Sequence, residues 1–143
     1  LFDWAKYKTK KGAVKMHTLL DYDGHLPAYD IPLLKGSVIV ADRFYNDFSL
    51  LNVWDSNQVY FVVRHKDNLK FKTVKDLELP ENRHQHVLRN EIIELTGNKT
   101  KKKYPKKLRS VALWDEKNEQ TIELITNQMS WKANTITELY KAR

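Results

Sequence analysis

The first candidate for chemistry is Asp42, which directly follows the short apolar segment Ser37 to Ala41. A nearly continuous apolar run of this length is typical of a strand that is covered on both faces of a sheet. Sites in open α/β sheets form beyond the carboxyl ends of parallel strands, where a carboxylate can bind a hard cation such as Mg²⁺. The alternative is that Asp42 accepts hydrogen bonds from the start of the next helix. The residues alone leave both interpretations open.

A second candidate group is formed by Tyr140 and Arg143 near the end of the sequence. Three positions apart on a helix, the two side chains share a face. A hydroxyl beside a guanidinium suits a DNA phosphate, because arginine can donate two parallel hydrogen bonds. The alternative is the ordinary edge of an amphipathic helix.

A cluster of basic residues occupies positions 99–109, and its lysines at 99–107 are candidates for phosphate contacts. Each phosphate that a lysine neutralises makes DNA binding more sensitive to salt. The alternative, equally open, is a solvated and mobile loop. The members of the cluster are Lys99, Lys101, Lys102, Lys103, Lys106, Lys107 and Arg109.

Aromatic and histidine side chains near this cluster offer two further kinds of site. Tyr104, Trp114 and Trp131 could stack on an unpaired base, although most such aromatic residues belong to a core, and Trp131 is the one that we single out. His84 and His86 alternate on a segment that could be a strand. The chain has no cysteine and offers no third ligand for them, so we do not expect a zinc site.

The elements that would position these residues begin with strand patterns in the first half of the chain. Apolar residues alternate from Gly12 to Leu20, and a turn at Asp23 and Gly24 would return the chain as a partner strand over residues 25–29. A strand at 37–41, a helix at 46–56 and a strand at 59–63 then form a compact parallel crossover unit. The apolar stripe of this helix is predicted to consist of Phe44, Phe48, Leu50, Leu51 and Trp54.

The second half of the chain has the pattern of strands followed by a helix. We predict strands at 69–74, 87–95, 108–114 and 121–126, the last two joined as a hairpin by the polar residues 115–120. Thr135 and Glu138 have the spacing of a capping box at the start of a final helix, whose buried side would be Ile136, Leu139 and Tyr140.

The composition is that of a soluble globular domain of 143 residues. Apolar residues make up 41% and charged residues 30%, and no apolar run is long enough to span a membrane. The net charge of +7 makes a polyanion a reasonable partner. The absence of cysteine excludes disulfides and is consistent with the cytosol.

Three segments carry a resemblance to a known family. Residues 36–45 (Gly-Ser-Val-Ile-Val-Ala-Asp-Arg-Phe-Tyr) resemble the second-aspartate motif of bacterial insertion-sequence DDE transposases. Residues 140–143 (Tyr-Lys-Ala-Arg) resemble the opening of that family's signature: tyrosine, two residues, arginine, three residues, glutamate, six residues, lysine. The segment Trp4 to Gly24 is similar to the family's early strands, so the resemblance covers essentially the whole chain.

The resemblance implies an α/β fold with an RNase H-like mixed sheet and a β-rich insertion, incomplete at both ends. The chain would be a single partial catalytic domain. Its parts would be an RNase H-like portion (1–68), a β-rich insertion that grips DNA (69–126) and the start of the signature helix (127–143).

The resemblance also implies two-metal phosphoryl transfer, in which three carboxylates hold two Mg²⁺ or Mn²⁺ ions. Asp42 would be the second carboxylate, and Tyr140 and Arg143 would hold phosphates. The first aspartate is expected before Leu1 and the glutamate four residues beyond Arg143. We therefore expect this chain not to cleave DNA alone.

The implied partners are DNA at mobile-element ends, target DNA and a second copy of the protein on paired ends. The implied location is the bacterial cytoplasm, associated with the nucleoid and not with a membrane. Two alternatives stay open: a catalytically inactive DNA-binding remnant, and a metal-dependent nuclease of the same fold. The link from Tyr29 to Lys35 is shorter than the family's usual connection, which suggests that an internal piece is missing.

Overall fold

The computed structural model describes residues 16–19, 33–41, 47–65, 68–80 and 86–142. The elements of this part of the chain are β1 (Met16–Leu19), β2 (Val38–Ala41), α1 (Phe48–Ser56), β3 (Tyr60–Arg64), β4 (Phe71–Asp76), β5 (Val87–Leu95), α2 (Asn98–Lys103), β6 (Leu108–Asp115), β7 (Gln120–Thr126) and α3 (Ala133–Lys141). The strands form one mixed seven-stranded sheet in the order β1-β2-β3-β7-β6-β5-β4. This mixed α/β architecture confirms the predicted class and is compatible with an RNase H-like fold.

The crossover unit is confirmed by the pairing of β2 with β3. The two strands are parallel, with Val38 opposite Tyr60 and Ala41 opposite Val63. All four residues of β2 are buried, because helices cover the sheet on both faces. β1 pairs with β2 in parallel as well, whereas the predicted return strand over residues 25–29 lies outside the described residues.

α1 begins where a side chain can cap it. The carboxylate of Asp47 accepts a hydrogen bond from the backbone N–H of Leu50 at 3.1 Å, satisfying a donor that the helix itself cannot pair. Phe48, Leu50, Leu51 and Trp54 are buried against the sheet, as the spacing predicted. The predicted start at residue 46 lies outside the described residues.

The four strands β4 to β7 are antiparallel to their neighbours and continue the same sheet. β6 and β7 form the predicted hairpin, with Asp115 opposite Gln120. β7 then pairs antiparallel with β3, so the strand-rich segment joins the parallel part directly. The division into parts at residues 68 and 126 stays a prediction.

The sheet has a core on each face. On the face that α1 and α2 cover (the α1 face), the buried cluster includes Ile39, Ala41, Phe48, Leu51, Trp54, Phe61, Val63, Ile93, Tyr104, Leu108 and Ile125. On the opposite face (the α3 face), it includes Val38, Val40, Val62, Val111, Leu113, Leu124, Ile136, Leu139 and Tyr140. Alternate residues of β2 and β3 thus point to different cores, as the period of a strand requires.

α3 begins earlier than the sequence indicated. Its N-cap is Lys132, and the N–H of Thr135 already donates to the Lys132 carbonyl at 3.0 Å. Thr135 therefore lies inside the first turn, and the predicted capping box is wrong. The predicted buried side of the helix is confirmed. Within the described ranges, the structure contains no helix long and apolar enough to cross a membrane.

Candidate nucleic-acid and metal site

α3 lies along the sheet in the same direction as β2 and β3. At its start, the Trp131 ring packs against that of Tyr60, the first residue of β3, with centroids 6.0 Å apart. At its end, Lys141 lines the same open pocket as Asp115. Asp115 pairs with Gln120, whose side chain accepts a hydrogen bond at 3.4 Å from the last residue of β3. The end of α3 and the carboxyl ends of the parallel strands therefore lie on the same side of the fold.

Asp42 itself lies outside the described residues, so its role stays a prediction. The residue before it, Ala41, ends β2 and is opposite Val63. Beyond that point the neighbouring strand continues with Arg64 and the buried residue His65. The carboxyl end of β2, where Asp42 is expected, therefore lies beside polar side chains of the adjacent strand.

A chain of polar and charged side chains starts at this end of the strands and crosses the α1 face. The Nε2 atom of His65 lies 3.6 Å from a carboxylate oxygen of Glu123, which also contacts the guanidinium of Arg89. Arg89 is 3.6 Å from Glu91, which accepts a hydrogen bond from the Thr73 hydroxyl. Because each carboxylate has a cationic or hydroxyl partner, we interpret this chain as a structural link between β3, β7, β5 and β4.

The described residues do not by themselves form a metal centre. Across residues 16–19, 33–41, 47–65, 68–80 and 86–142, no group of three or more histidine, aspartate or glutamate side chains is close enough to hold an ion. His86 precedes β5 in a left-handed conformation (φ 50°) and lies 3.4 Å from Glu116, so it is not on a strand as predicted. His84 lies outside the described residues. Asp42 as a ligand of a magnesium ion stays a prediction.

Tyr140 is in the core on the α3 face, and only 1% of its surface is exposed. This burial shows that its ring contributes to the packing of the core. A phosphate contact by its hydroxyl stays a prediction. Its predicted companion Arg143 lies outside the described residues.

Most of the lysine cluster lies on a short helix and not in a loop. α2 carries Lys99, Lys101, Lys102 and Lys103, all exposed, and Lys107 is exposed just after it. The alternative of a solvated loop is therefore wrong about the loop at residues 98–103, whereas the exposure of these lysines agrees with it. Lys106 differs from the others, because its Nζ atom is 2.7 Å from a carboxylate oxygen of Asp55.

Arg109 does not belong to this exposed cluster, which corrects the sequence-based grouping. Only 2% of its surface is exposed, and burial lowers the pKa of its guanidinium. Its Nε atom donates to the Asn90 side-chain oxygen at 2.9 Å, and Nη1 donates to the carbonyls of Gln128 (3.2 Å) and Trp131. The strand alternation with Val111 and Leu113 could have revealed the buried position.

The three aromatic residues near the cluster have different surroundings. Tyr104 is buried with its ring edge-on to Phe61, and burial, helped by the nearby Asp55 carboxylate, raises the pKa of its hydroxyl. Trp114 and Trp131 are half-buried. Trp131 lines an open pocket beside Arg109, so base stacking by its ring stays a prediction.

Comparisons with known proteins show the family of the chain. The family model described as the transposase DDE domain matches residues 2–143. The chain belongs to this family. A protein from Geobacillus stearothermophilus, described as a probable transposase for insertion sequence element IS5377, is 26% identical over 154 residues. The match covers 98% of this chain and 40% of the relative.

The same match bears on the length of the chain's connections. The matched stretch of 154 residues is longer than the 143-residue chain, so the relative has residues in this stretch that the chain lacks. A shortened internal connection agrees with this difference. Its position between Tyr29 and Lys35 stays a prediction.

Proposed function

We propose that this chain is part of the catalytic domain of a transposase that cuts and joins DNA at the ends of a mobile element. The observation that carries the proposal is the match of the transposase DDE domain to residues 2–143. The arrangement of the sheet supports it, because β2 leads to Asp42 and α3 ends on the same side of the fold. Residues from both elements would meet at one DNA phosphate.

The metal in this proposal is Mg²⁺ or Mn²⁺, with Asp42 as one of its ligands. When bound, a divalent ion of this kind stabilises charge on the oxygens of an in-line phosphoryl transfer. The residues of the chain have the complementary task of orienting DNA. Tyr140 and Arg143 would hold backbone phosphates beside the metal, and Trp131 would stack on a base that leaves the duplex.

The lysines on and after α2 would provide the sequence-independent part of the affinity. Lys101, Lys102, Lys103 and Lys107 are exposed on one short stretch of chain, and residues 98–107 contain no acidic side chain. Lys106 belongs to the same surface, although its contact with Asp55 also ties it to α1. Such a surface attracts the phosphate backbone at long range and releases counterions on contact.

The test is the salt dependence of DNA binding by the chain, measured as fluorescence anisotropy of a labelled duplex. Replacing Lys101, Lys102 and Lys103 together by glutamine should reduce the slope of log K against log salt by about two to three, roughly one for each phosphate that is no longer neutralised. The matched control replaces the same three lysines by arginine, which keeps the charge and should keep the slope. An unchanged slope in the glutamine variant would exclude α2 from the DNA surface.

The alternatives are a DNA-binding remnant without chemistry and a metal-dependent nuclease of the same fold. Titration of the full-length protein with Mn²⁺, followed by electron paramagnetic resonance, separates the first of them from the proposal. Metal binding that disappears in Asp42→Asn supports a catalytic centre. Equal Mn²⁺ binding by both proteins, with DNA binding intact, supports the remnant. A homodimer on paired DNA ends stays a prediction, and strand joining in the full-length protein would separate the transposase from the nuclease.

A further inference from the structure

Arg109 is a buried cation whose partners, among the described residues, are neutral. Its three hydrogen bonds go to one amide oxygen and two backbone carbonyls. The amide is itself held in place, because the Asn90 side-chain nitrogen donates to the Glu78 carbonyl at 2.9 Å. Burying a charge is costly unless hydrogen bonds compensate it, so these acceptors must keep their positions relative to the guanidinium.

Two of those acceptors belong to the connection between β7 and α3, residues 127–132. Within this connection, Gln128 accepts hydrogen bonds from the backbone N–H of Ser130 at 2.9 Å and from its hydroxyl at 2.8 Å. The Gln128 N–H donates to the Thr126 hydroxyl at 3.0 Å. The connection is therefore a hydrogen-bonded turn, and Arg109 attaches it to β6 in the centre of the sheet.

Arg109 provides directional contacts, which apolar packing alone does not. Ile136, Leu139 and Tyr140 hold α3 against the sheet, but hydrophobic contact is not directional and tolerates a small slide or rotation of a helix. A planar guanidinium fixes its acceptors in distance and angle. It binds the Trp131 carbonyl, two residues before the first residue of α3. The end of the helix lies about 12 Å from its start, so a small change of angle at this attachment would move the end of the helix.

We infer that Arg109 is a positioning residue for α3, which fixes the phase and height of the helix on the sheet and, through them, the DNA contact proposed for Arg143. The inference rests on the proposed function, because it assigns to Arg109 an effect on DNA contacts that it does not itself make. The DNA backbone is the same ligand as in the proposed function. Arg109 would affect its binding through the connection at residues 127–132 and through α3.

The test is a double-mutant cycle in DNA affinity, measured on the whole chain with a labelled duplex. Arg109→Lys keeps the charge and removes the fork, and we expect affinity to fall on the order of ten-fold. When Arg143→Ala is already present, Arg109→Lys should cost less than about two-fold, because the interaction through which it acts is gone. Asn90→Ala, which removes the Nε acceptor, should behave in the same way.

The control is Ile39→Val on the α1 face. Each variant is measured at the same number of degrees below its own unfolding temperature. A role in general stability alone would make both variants additive with Arg143→Ala, and that outcome would overturn the inference. If Arg143→Ala lowers DNA affinity and its effect adds to that of Arg109→Lys, the positioning role is rejected and the DNA contact of Arg143 is kept.

If Arg143→Ala leaves DNA affinity unchanged, the proposed contact fails instead, and amide hydrogen exchange decides the positioning role. Faster exchange over residues 133–141 in Arg109→Lys than in Ile39→Val then supports positioning. Equal exchange in the two variants rejects it. Asn90→Ala replaces Arg109→Lys in this comparison if the lysine variant does not unfold cooperatively.

Discussion

The two faces of the sheet attach their helices by different kinds of anchor. On the α1 face, Asp55 at the end of α1 accepts from Lys106 at 2.7 Å and from the Asn127 side chain at 2.9 Å. The Lys106 side chain is 48% exposed. On the α3 face, Arg109 is 2% exposed and uses neutral acceptors.

The contribution of a charged side chain to the stability of this fold therefore depends more on its burial than on the sign of its charge. An exposed ion pair is screened by water and salt and must order two long side chains. A buried guanidinium has no water to replace a missing partner, so its removal leaves acceptors unsatisfied inside the protein. We therefore expect the loss of Arg109, which has no opposite charge beside it, to destabilise the fold more than the loss of Lys106.

The largest expected effect is that of Arg109→Ala. We expect it to lower the free energy of unfolding by about 3 kcal/mol, because it leaves buried acceptors without a donor and opens a space in the core. Urea denaturation monitored by circular dichroism measures the loss. The control is Arg89→Ala, since Arg89 is 39% exposed on its side chain and should cost about 1 kcal/mol. Equal losses would contradict the comparison.

An intermediate effect is expected from Tyr104, which lies beside the exposed anchor but is buried. Its folded-state pKa is raised above the ordinary 10.0, first by burial and then by Asp55. Its contribution to stability is therefore complete below pH 10 and is lost as the pH rises above that value, because the unfolded chain ionises first. The stability difference between the wild type and Tyr104→Phe should shift by on the order of 1 kcal/mol per pH unit above about 10.

Urea titrations at several pH values from about 8 to about 11.5, on both sides of the ordinary tyrosine pKa, provide the test for Tyr104. Comparing the two proteins at each pH cancels the ionisation of the lysines and of the other tyrosines. Parallel pH profiles for the wild type and Tyr104→Phe would mean that this hydroxyl ionises equally easily in the folded and unfolded states.

The smallest effect is expected from Lys106→Ala. Removing this partner of Asp55 should cost about 0.5 kcal/mol, and the cost should shrink further in high salt. The Asp55 carboxylate keeps its hydrogen bond to Asn127, whose side chain also binds Val59 and Phe61. Thermal unfolding at low and at high salt is a sufficient measurement. A destabilisation as large as that of Arg109→Ala would show that the exposed anchor dominates.

Much of the fold was predictable because local patterns and burial agree along the strands. The uninterrupted apolar runs of β2 and β3 predicted two covered strands, and the polar turn between β6 and β7 predicted their hairpin. The start of α3 was not predictable. The capping spacing at Thr135 is a local signal, whereas the helix actually begins just after a carbonyl that Arg109 binds from another strand.

The candidate site divides in the same way. The residue order around Asp42 and Tyr140 carried the family resemblance, and the family match agrees with it. The lysines of α2 were found as a group, but their sequence spacing gave no means of separating Lys106, which Asp55 contacts across 51 positions, or Arg109, whose acceptors lie 19 and 22 positions away.

Local sequence patterns are sufficient to predict the α/β class, most of the strands, the buried sides of α1 and α3 and the family, because periodicity and short motifs are properties of neighbouring residues. Contacts between residues far apart in the chain determine which basic side chains are exposed, how β7 joins β3, and how α3 is attached to the sheet. Those properties depend on burial and on hydrogen bonds between distant residues. A charged side chain has the same letter in the sequence whether it faces water or a core, and its partners decide which.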